Sequence, residues 1–145
     1  MYRDKITLYN YHTGTAMWYP SVIEGVDLGS VRAATATASA DVTNADTVEV
    51  LIPCGRDKTV STAAGTKRYA GPKEYAACET PAQSVTFRPE CDFFLEGEPE
   101  DLTPVSDEDY ESGFYHAMNE ERDGVYMITS ASFYGLLPHF EIGGR

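Results

Sequence analysis

Asp107, Asp109 and Glu111 recur at every second position with a glycine close behind, the spacing from which calcium loops are built. A helix–loop–helix calcium site places glycine sixth and a bidentate glutamate twelfth. Here Gly113 stands seventh and Met118 twelfth, so the pattern fails. Acids gathered at a helix N-terminus explain these residues more simply. The three histidines, His12, His116 and His139, are widely separated in sequence, and each is expected to be a packed or hydrogen-bonded side chain. His139, between Pro138 and Phe140, is expected to bond to a neighbouring strand or loop. Cys54, Cys78 and Cys91 are odd in number and never at C-x-x-C spacing, which predicts reduced thiols and neither a disulfide framework nor a zinc site. Cys91 reads as a small buried hydrophobe on a core strand. Nucleophile-elbow, zinc-helix and phosphate-loop motifs are all missing, and Gly65-Thr66-Lys67 lacks the upstream glycine and following hydroxyl of a P-loop. Paired carboxylates can hydrolyse glycosides, but 23 acids among 145 residues make near pairs inevitable. The residues imply no catalytic centre, no cofactor and no metal.

Charge says more once it is located. The formal net charge is −12. Residues 90–123 hold thirteen of the acids and a single base, Arg122, so the rest of the chain is neutral. Such a segment is either a solvated face or an electrostatic feature aimed at a basic partner or lining a channel that must not bind DNA. A duplex-binding protein carries basic patches, so sequence-specific nucleic-acid binding through this segment is not expected. The four bases Arg56, Lys58, Lys67 and Arg68 fall together in another stretch. Ten tyrosines and six phenylalanines either build an aromatic β core or serve in part at an interface. No apolar run is long enough to cross a bilayer, and the opening MYRDKITLYNYHTG has no signal-peptide core, so a protein made in the cytoplasm is expected.

The length fits a single domain, 1–145, with one core. Lys5–Tyr11 alternates and predicts a first strand, and Met17–Glu24 a second. Gly25 and Gly29 bracket a tight link to Ser30–Ala40, whose interleaved threonines favour a strand. TVEVLIP, residues 47–53, is the clearest buried strand of the first half. Residues 54–83 break the pattern with glycines and prolines and are expected to form a long polar loop, with a helical turn at Lys73–Ala77. SVTFR (84–88) and CDFFL (91–95) read as strands. The spacing predicts one short helix over 106–121, capped by Ser106, with Tyr110, Phe114 and Met118 on one face. Val125–Gly144 reads as a hairpin, with Val125 and Met127 opposite Tyr126 and Ile128, a turn at SFYG, and Phe140 and Ile142 sharing a face. The fold class expected is mainly β, a small antiparallel β-barrel or sandwich.

Five phrases, in order along the chain, resemble a known family. DKITLYNYHTG with MWYPSVIEGVDLG, TVEVLIP, YAGPKEY, TFRPECDFFLEG and the closing VYMITS…LPHFEIGG are similar to phrases of tailed-phage head–tail joining proteins, the head-closure or minor capsid proteins of prophages. The chain departs from that pattern at Pro89-Glu90-Cys91, where the family often has a Gly-Asp turn, and its acidic 96–111 stretch is longer. The resemblance implies a small β-barrel that assembles as a ring beneath the portal, joins capsid to tail and helps retain DNA, without catalysis. It implies copies of itself, portal or adaptor and tail proteins as partners, and the virion as destination. Ring contacts are expected where opposite charges meet between neighbours: Arg56, Lys58, Lys67 and Arg68 on one side, and Glu98, Glu100, Asp101, Asp107, Glu108 and Asp109 on the other. A tail terminator or other virion ring component, and a non-phage β-sandwich binding module, remain alternatives.

Overall fold

The computed structural model describes residues 2–32 and 46–145. Its centre is a closed antiparallel barrel of six strands: β1 (Asp4–His12), β2 (Met17–Arg32), β3 (Asp46–Pro53), β7 (Phe93–Glu96), β9 (Val125–Tyr134) and β10 (His139–Gly144). Going round the wall the order is β1, β7, β9, β10, β3, β2, and β2 pairs with β1 to close the ring. The fold is therefore mainly β, and of the two architectures expected it is the barrel. A two-residue strand, β8 (Val105–Ser106), adds to Met17 and Trp18 at the start of β2.

Two strands turn corners, and each does so at a register shift. β2 pairs with β1 as far as Val26 and with β3 from Asp27 onward. The change of partner falls at Gly25, which is skipped in the β1 register and has φ +71. One extra residue in left-handed backbone bends a strand and steepens its twist, so β2 runs through Gly25 and Gly29 where a tight link was expected. Likewise β9 pairs with β7 over Val125–Met127 and with β10 beyond, with a shift opposite Gly143 and Gly144. Of the strand expected at Ser30–Ala40, β2 includes the part up to Arg32; the remainder lies outside the described residues.

The wall is covered on its inside, and on its outside along β1, β7 and the starts of β2 and β9. Inside lie Ile6, Leu8, Ile23, Val50, Ile52, Phe94, Ile128, Phe140 and Ile142. Outside, Tyr9, Trp18, Phe93, Leu95 and Val125 form a second cluster beneath α2 (Phe114–Glu121). That is why β1 is buried at five successive positions, Ile6 to Asn10, instead of at alternate ones. The expected polar loop at 54–83 is instead folded: β4 (Thr59–Thr62) and β5 (Gly65–Tyr69) form a hairpin, α1 (Pro72–Ala77) follows, and β5 pairs in parallel with β6 (Ser84–Val85). Val60, Val85 and Phe87 from this lobe pack into the barrel's core. Each short element contributes one or two apolar side chains and an inward position of β5 is a lysine, so no period-2 signal survives.

The helix expected over 106–121 is shorter than its pattern. Asp107–Asp109 make one 3₁₀ turn, Gly113 stands at φ +91, and α2 begins only at Phe114. Gly113 breaks the helix because it takes a backbone conformation that other residues rarely adopt. Tyr110 still packs on Phe114, ring centroids 5.3 Å apart, from outside the helix. The final hairpin has its expected faces, but β9 continues through Ser132-Phe133-Tyr134 and the turn is Gly135–Pro138.

Candidate functional site

Three polar or apolar features stand apart from the alternating wall. The first is buried. The Asp92 carboxylate, fully buried, receives the Arg88 guanidinium as a fork, Nε to Oδ2 at 2.9 Å and an Nη to Oδ1 at 2.8 Å. It also accepts the backbone N–H groups of Tyr11 and Arg88 at 3.1 and 3.0 Å. Arg88 donates further to the Tyr11 carbonyl and lies 5.2 Å over the Tyr75 ring. Hydrogen bonds and charge from Asp92 outweigh burial and hold Arg88 above its ordinary pKa. His12 packs edge-on to Tyr75 and bonds through its ring nitrogens to Thr15 Oγ1 and the Cys78 carbonyl. Both Asp92 oxygens take two donors each and both His12 ring nitrogens are bonded, so this network ties the 72–92 lobe to β1. The Cys54 and Cys91 thiols are pushed up by burial, away from thiolate chemistry.

The second feature is an open cleft of about 830 Å³ between α2, the 98–110 stretch and the barrel wall. Tyr9, Val105, Phe114 and Met118 line its floor, with Tyr110 beside them. Among the described residues its rim carries Glu98, Glu100, Asp101, Glu121 and Asp123 against a single cation, Arg122. The Tyr9 side chain is 1% exposed, stacked on Phe93 and edge-on to Phe114. Its hydroxyl has no hydrogen-bond partner among the described residues, and its position in the lining aims it at the cleft. Burial pushes the Tyr9 pKa up to about 12; Arg122 opposes this, while Asp101 and Tyr110 add to it. Asp101 is held below the usual carboxylate range by the backbone N–H and hydroxyl of Thr103. The cleft thus has an apolar, aromatic floor, a Tyr9 hydroxyl without a partner among the described residues, and an acidic rim.

The third feature is the tip of the β9–β10 hairpin. Leu136 is 90% and Leu137 76% exposed, and neighbouring Tyr134 stands half in solvent. The tip is anchored, not loose: Cys54 N–H donates to the Pro138 carbonyl, His139 stacks on Tyr134, and His139 bonds to Glu141 and the Leu137 carbonyl. The Lys58 ammonium lies 4.7 Å over the Phe133 ring at the hairpin's flank. Two adjacent leucines held in an anchored turn, open to water, are a contact surface in waiting.

The ten residues expected at subunit contacts divide among these places. Arg56 and Arg68 are exposed on the 54–69 lobe. Lys58 is half-buried against Phe133 and Tyr69. Lys67 corrects the expectation: it is buried, its ammonium donates to Ser21 Oγ at 2.8 Å, and burial lowers its pKa. It occupies an inward strand position and cannot reach a partner. Glu98, Glu100 and Asp101 do come together, on the cleft rim, although Lys5 draws off part of the Glu98 charge at 3.2 Å. Asp107 is also corrected, to an internal role. Its Oδ1 accepts Trp18 Nε1 at 2.8 Å and the Phe114 N–H at 2.9 Å, so it caps α2 where Ser106 was expected. Glu108 and Asp109 are exposed outside the cleft. Sequence reasoning missed Tyr9, Leu136 and Leu137. The signal for the leucines was present: Gly135 and Pro138 bracket a turn, and turns rarely hold two leucines.

Among the described residues no helix is long and apolar enough to cross a membrane. A model of a family described as of unknown function, DUF6751, matches residues 1–145. No curated protein and no solved structure matches the chain.

Proposed function

The chain belongs to the DUF6751 family of unknown function, and we propose that it is a non-enzymatic structural protein of a tailed-phage virion, a head-closure component of the head–tail connector. In this reading it is made in the host cytoplasm and joins portal to tail as a ring of copies that helps retain packaged DNA. The observation that carries an assembly role is the hairpin tip, where a closed barrel presents Leu136 and Leu137 to solvent on an anchored turn. The saturation of the Arg88–Asp92 network and the engagement of His12 and His139 in structural bonds favour assembly over catalysis. The phage assignment itself rests on the sequence phrases, of which TVEVLIP is β3 and VYMITS…LPHFEIGG supplies β9 and β10.

The decisive experiment is electron microscopy of the purified protein mixed with the portal encoded beside it, together with protein identification in purified particles. A ring at the portal exit and presence in the particle are the expected results. Absence from particles together with no portal binding overturns the reading. Portal and major capsid genes upstream and tail genes downstream are the accompanying expectation for the gene's surroundings.

A further inference from the structure

We propose that the acidic cleft is the receptor for the hairpin tip of a second copy, so that the chain associates head to tail through one heterologous contact. This deepens the assembly reading and rests on it. The tip and the cleft lie at opposite ends of one strand. Asp123 in the cleft rim is two residues from the start of β9 at Val125, and Leu136 is two residues past its end at Tyr134. Ten residues would span about 33 Å if straight. Although β9 turns a corner between its β7-paired and β10-paired parts, its long second part carries the tip away from the cleft, so no copy can fill its own cleft with its own tip. A projection at one end and a matching recess at the other define a heterologous contact, which repeats from copy to copy and either closes into a ring or runs on as a filament.

The chemistry of the two surfaces is complementary. Leu136 and Leu137 are the most exposed large apolar side chains among the described residues, and the cleft floor offers Val105, Phe114 and Met118 to receive them. Arg56 and Arg68 are exposed on the 54–69 lobe, and Cys54, two residues before Arg56, fastens that lobe to Pro138 of the tip. Glu100, Asp101 and Glu121 stand on the rim that would face those arginines. The Tyr9 hydroxyl, which opens into the cleft and has no partner among the described residues, supplies a donor at the floor for a carbonyl of the incoming turn. A small cation alone would satisfy the rim and leave the apolar floor wet; an apolar turn carried beside a lobe with exposed guanidinium groups satisfies both.

The test uses two double variants at exposed positions, L136S/L137S for the tip and E100K/E121K for the cleft, with sedimentation of the full chain as the readout. The wild type is expected to associate with rising concentration, and each double variant alone to weaken association by about a hundredfold, as loss of an interface anchor does. Y9F is expected to weaken it about fivefold, the effect of one neutral hydrogen bond. An equimolar mixture of the two double variants keeps one intact tip and one intact cleft, so it is expected to form a dimer and stop there. A mixture that stays monomeric overturns the proposal. So does a cleft variant that still associates alone, which would mean a tip-to-tip contact, and so does a wild type that remains monomeric up to about 1 mM, the weak end of specific binding. Portal-bound rings formed equally well by both double variants would remove this contact and leave the head-closure reading standing. Head-to-tail association by a protein absent from particles would do the reverse.

Discussion

Asp92 and Lys67 are both charged and both buried, and the difference between them lies in what surrounds each. Asp92 has a bidentate guanidinium and two backbone donors. Removing its charge strands Arg88, which is itself mostly buried. Asp92→Asn is expected to cost about 3–5 kcal/mol, the range for breaking one side of a buried pair, measured as a shift in urea unfolding. Among the described residues Lys67 has only the Ser21 hydroxyl. Burial lowers its pKa in the folded chain, so between that lowered value and the ordinary lysine value the unfolded chain binds the extra proton. The penalty is absent above the unfolded value and grows as pH falls toward the folded one, so this group makes stability rise with pH through that window. Lys67→Met is expected to raise stability at neutral pH by about 1 kcal/mol, since it removes an ill-satisfied buried polar group, and to flatten the alkaline rise. Unfolding measured at several pH values between neutrality and the lysine range checks both, and a variant less stable than wild type throughout refutes them.

Strands and turns here are shaped as much by missing side chains as by present ones. Gly144 closes β10, and a Cβ there would meet the Phe94 ring and the Tyr126 Cβ at 2.9 and 3.0 Å. Gly144→Ala is expected to destabilise by about 1–3 kcal/mol through overpacking of a full core, read by thermal or urea unfolding; an unchanged midpoint would refute the close approach. The alternation of Ile6 and Leu8, of Val48, Val50 and Ile52, and of Phe140 and Ile142 made the barrel strands legible in the sequence. The closing hairpin was legible for the same reason. The lobe at 54–83 was not, because Lys67 occupies an inward position and its helix contributes one buried side chain, Tyr75. The helix start was misplaced because Tyr110 keeps helical spacing from Phe114 while Gly113 interrupts the backbone between them. Of the candidate site, the acidic rim was readable from charge density alone. Its aromatic floor was not: Tyr9 reads as one more alternating strand residue until α2 is laid over it.

For the molecule as a whole, two clusters share one wall, and the lobe feeds the inner of them. Such a structure has no part that keeps its core when another is lost, so equilibrium unfolding is expected to be a single cooperative transition. Trp18, the lone tryptophan, sits in the outer cluster and bonds to Asp107, so its fluorescence reports the helix side. Far-ultraviolet circular dichroism reports the barrel. The two transitions are expected to coincide in urea; separate midpoints would mean that α2 and its cleft melt independently. The six-strand wall also has a property that equilibrium measurements do not display. β10, last of the strands in chain order, bridges β9 and β3, and its β3 partners lie about ninety residues earlier: Phe140 faces Ile52, and Ile142 faces Val50. Until that strand docks, β3 and β9 each have an open edge, and the pairing that covers them carries a large loop-closure entropy. Chains rich in such distant pairings fold over milliseconds to seconds, much slower than helical domains of similar size. Time, more than net stability, is therefore the quantity this topology puts at risk, because every nascent copy carries two pairable strand edges through the interval before its final hairpin closes the barrel.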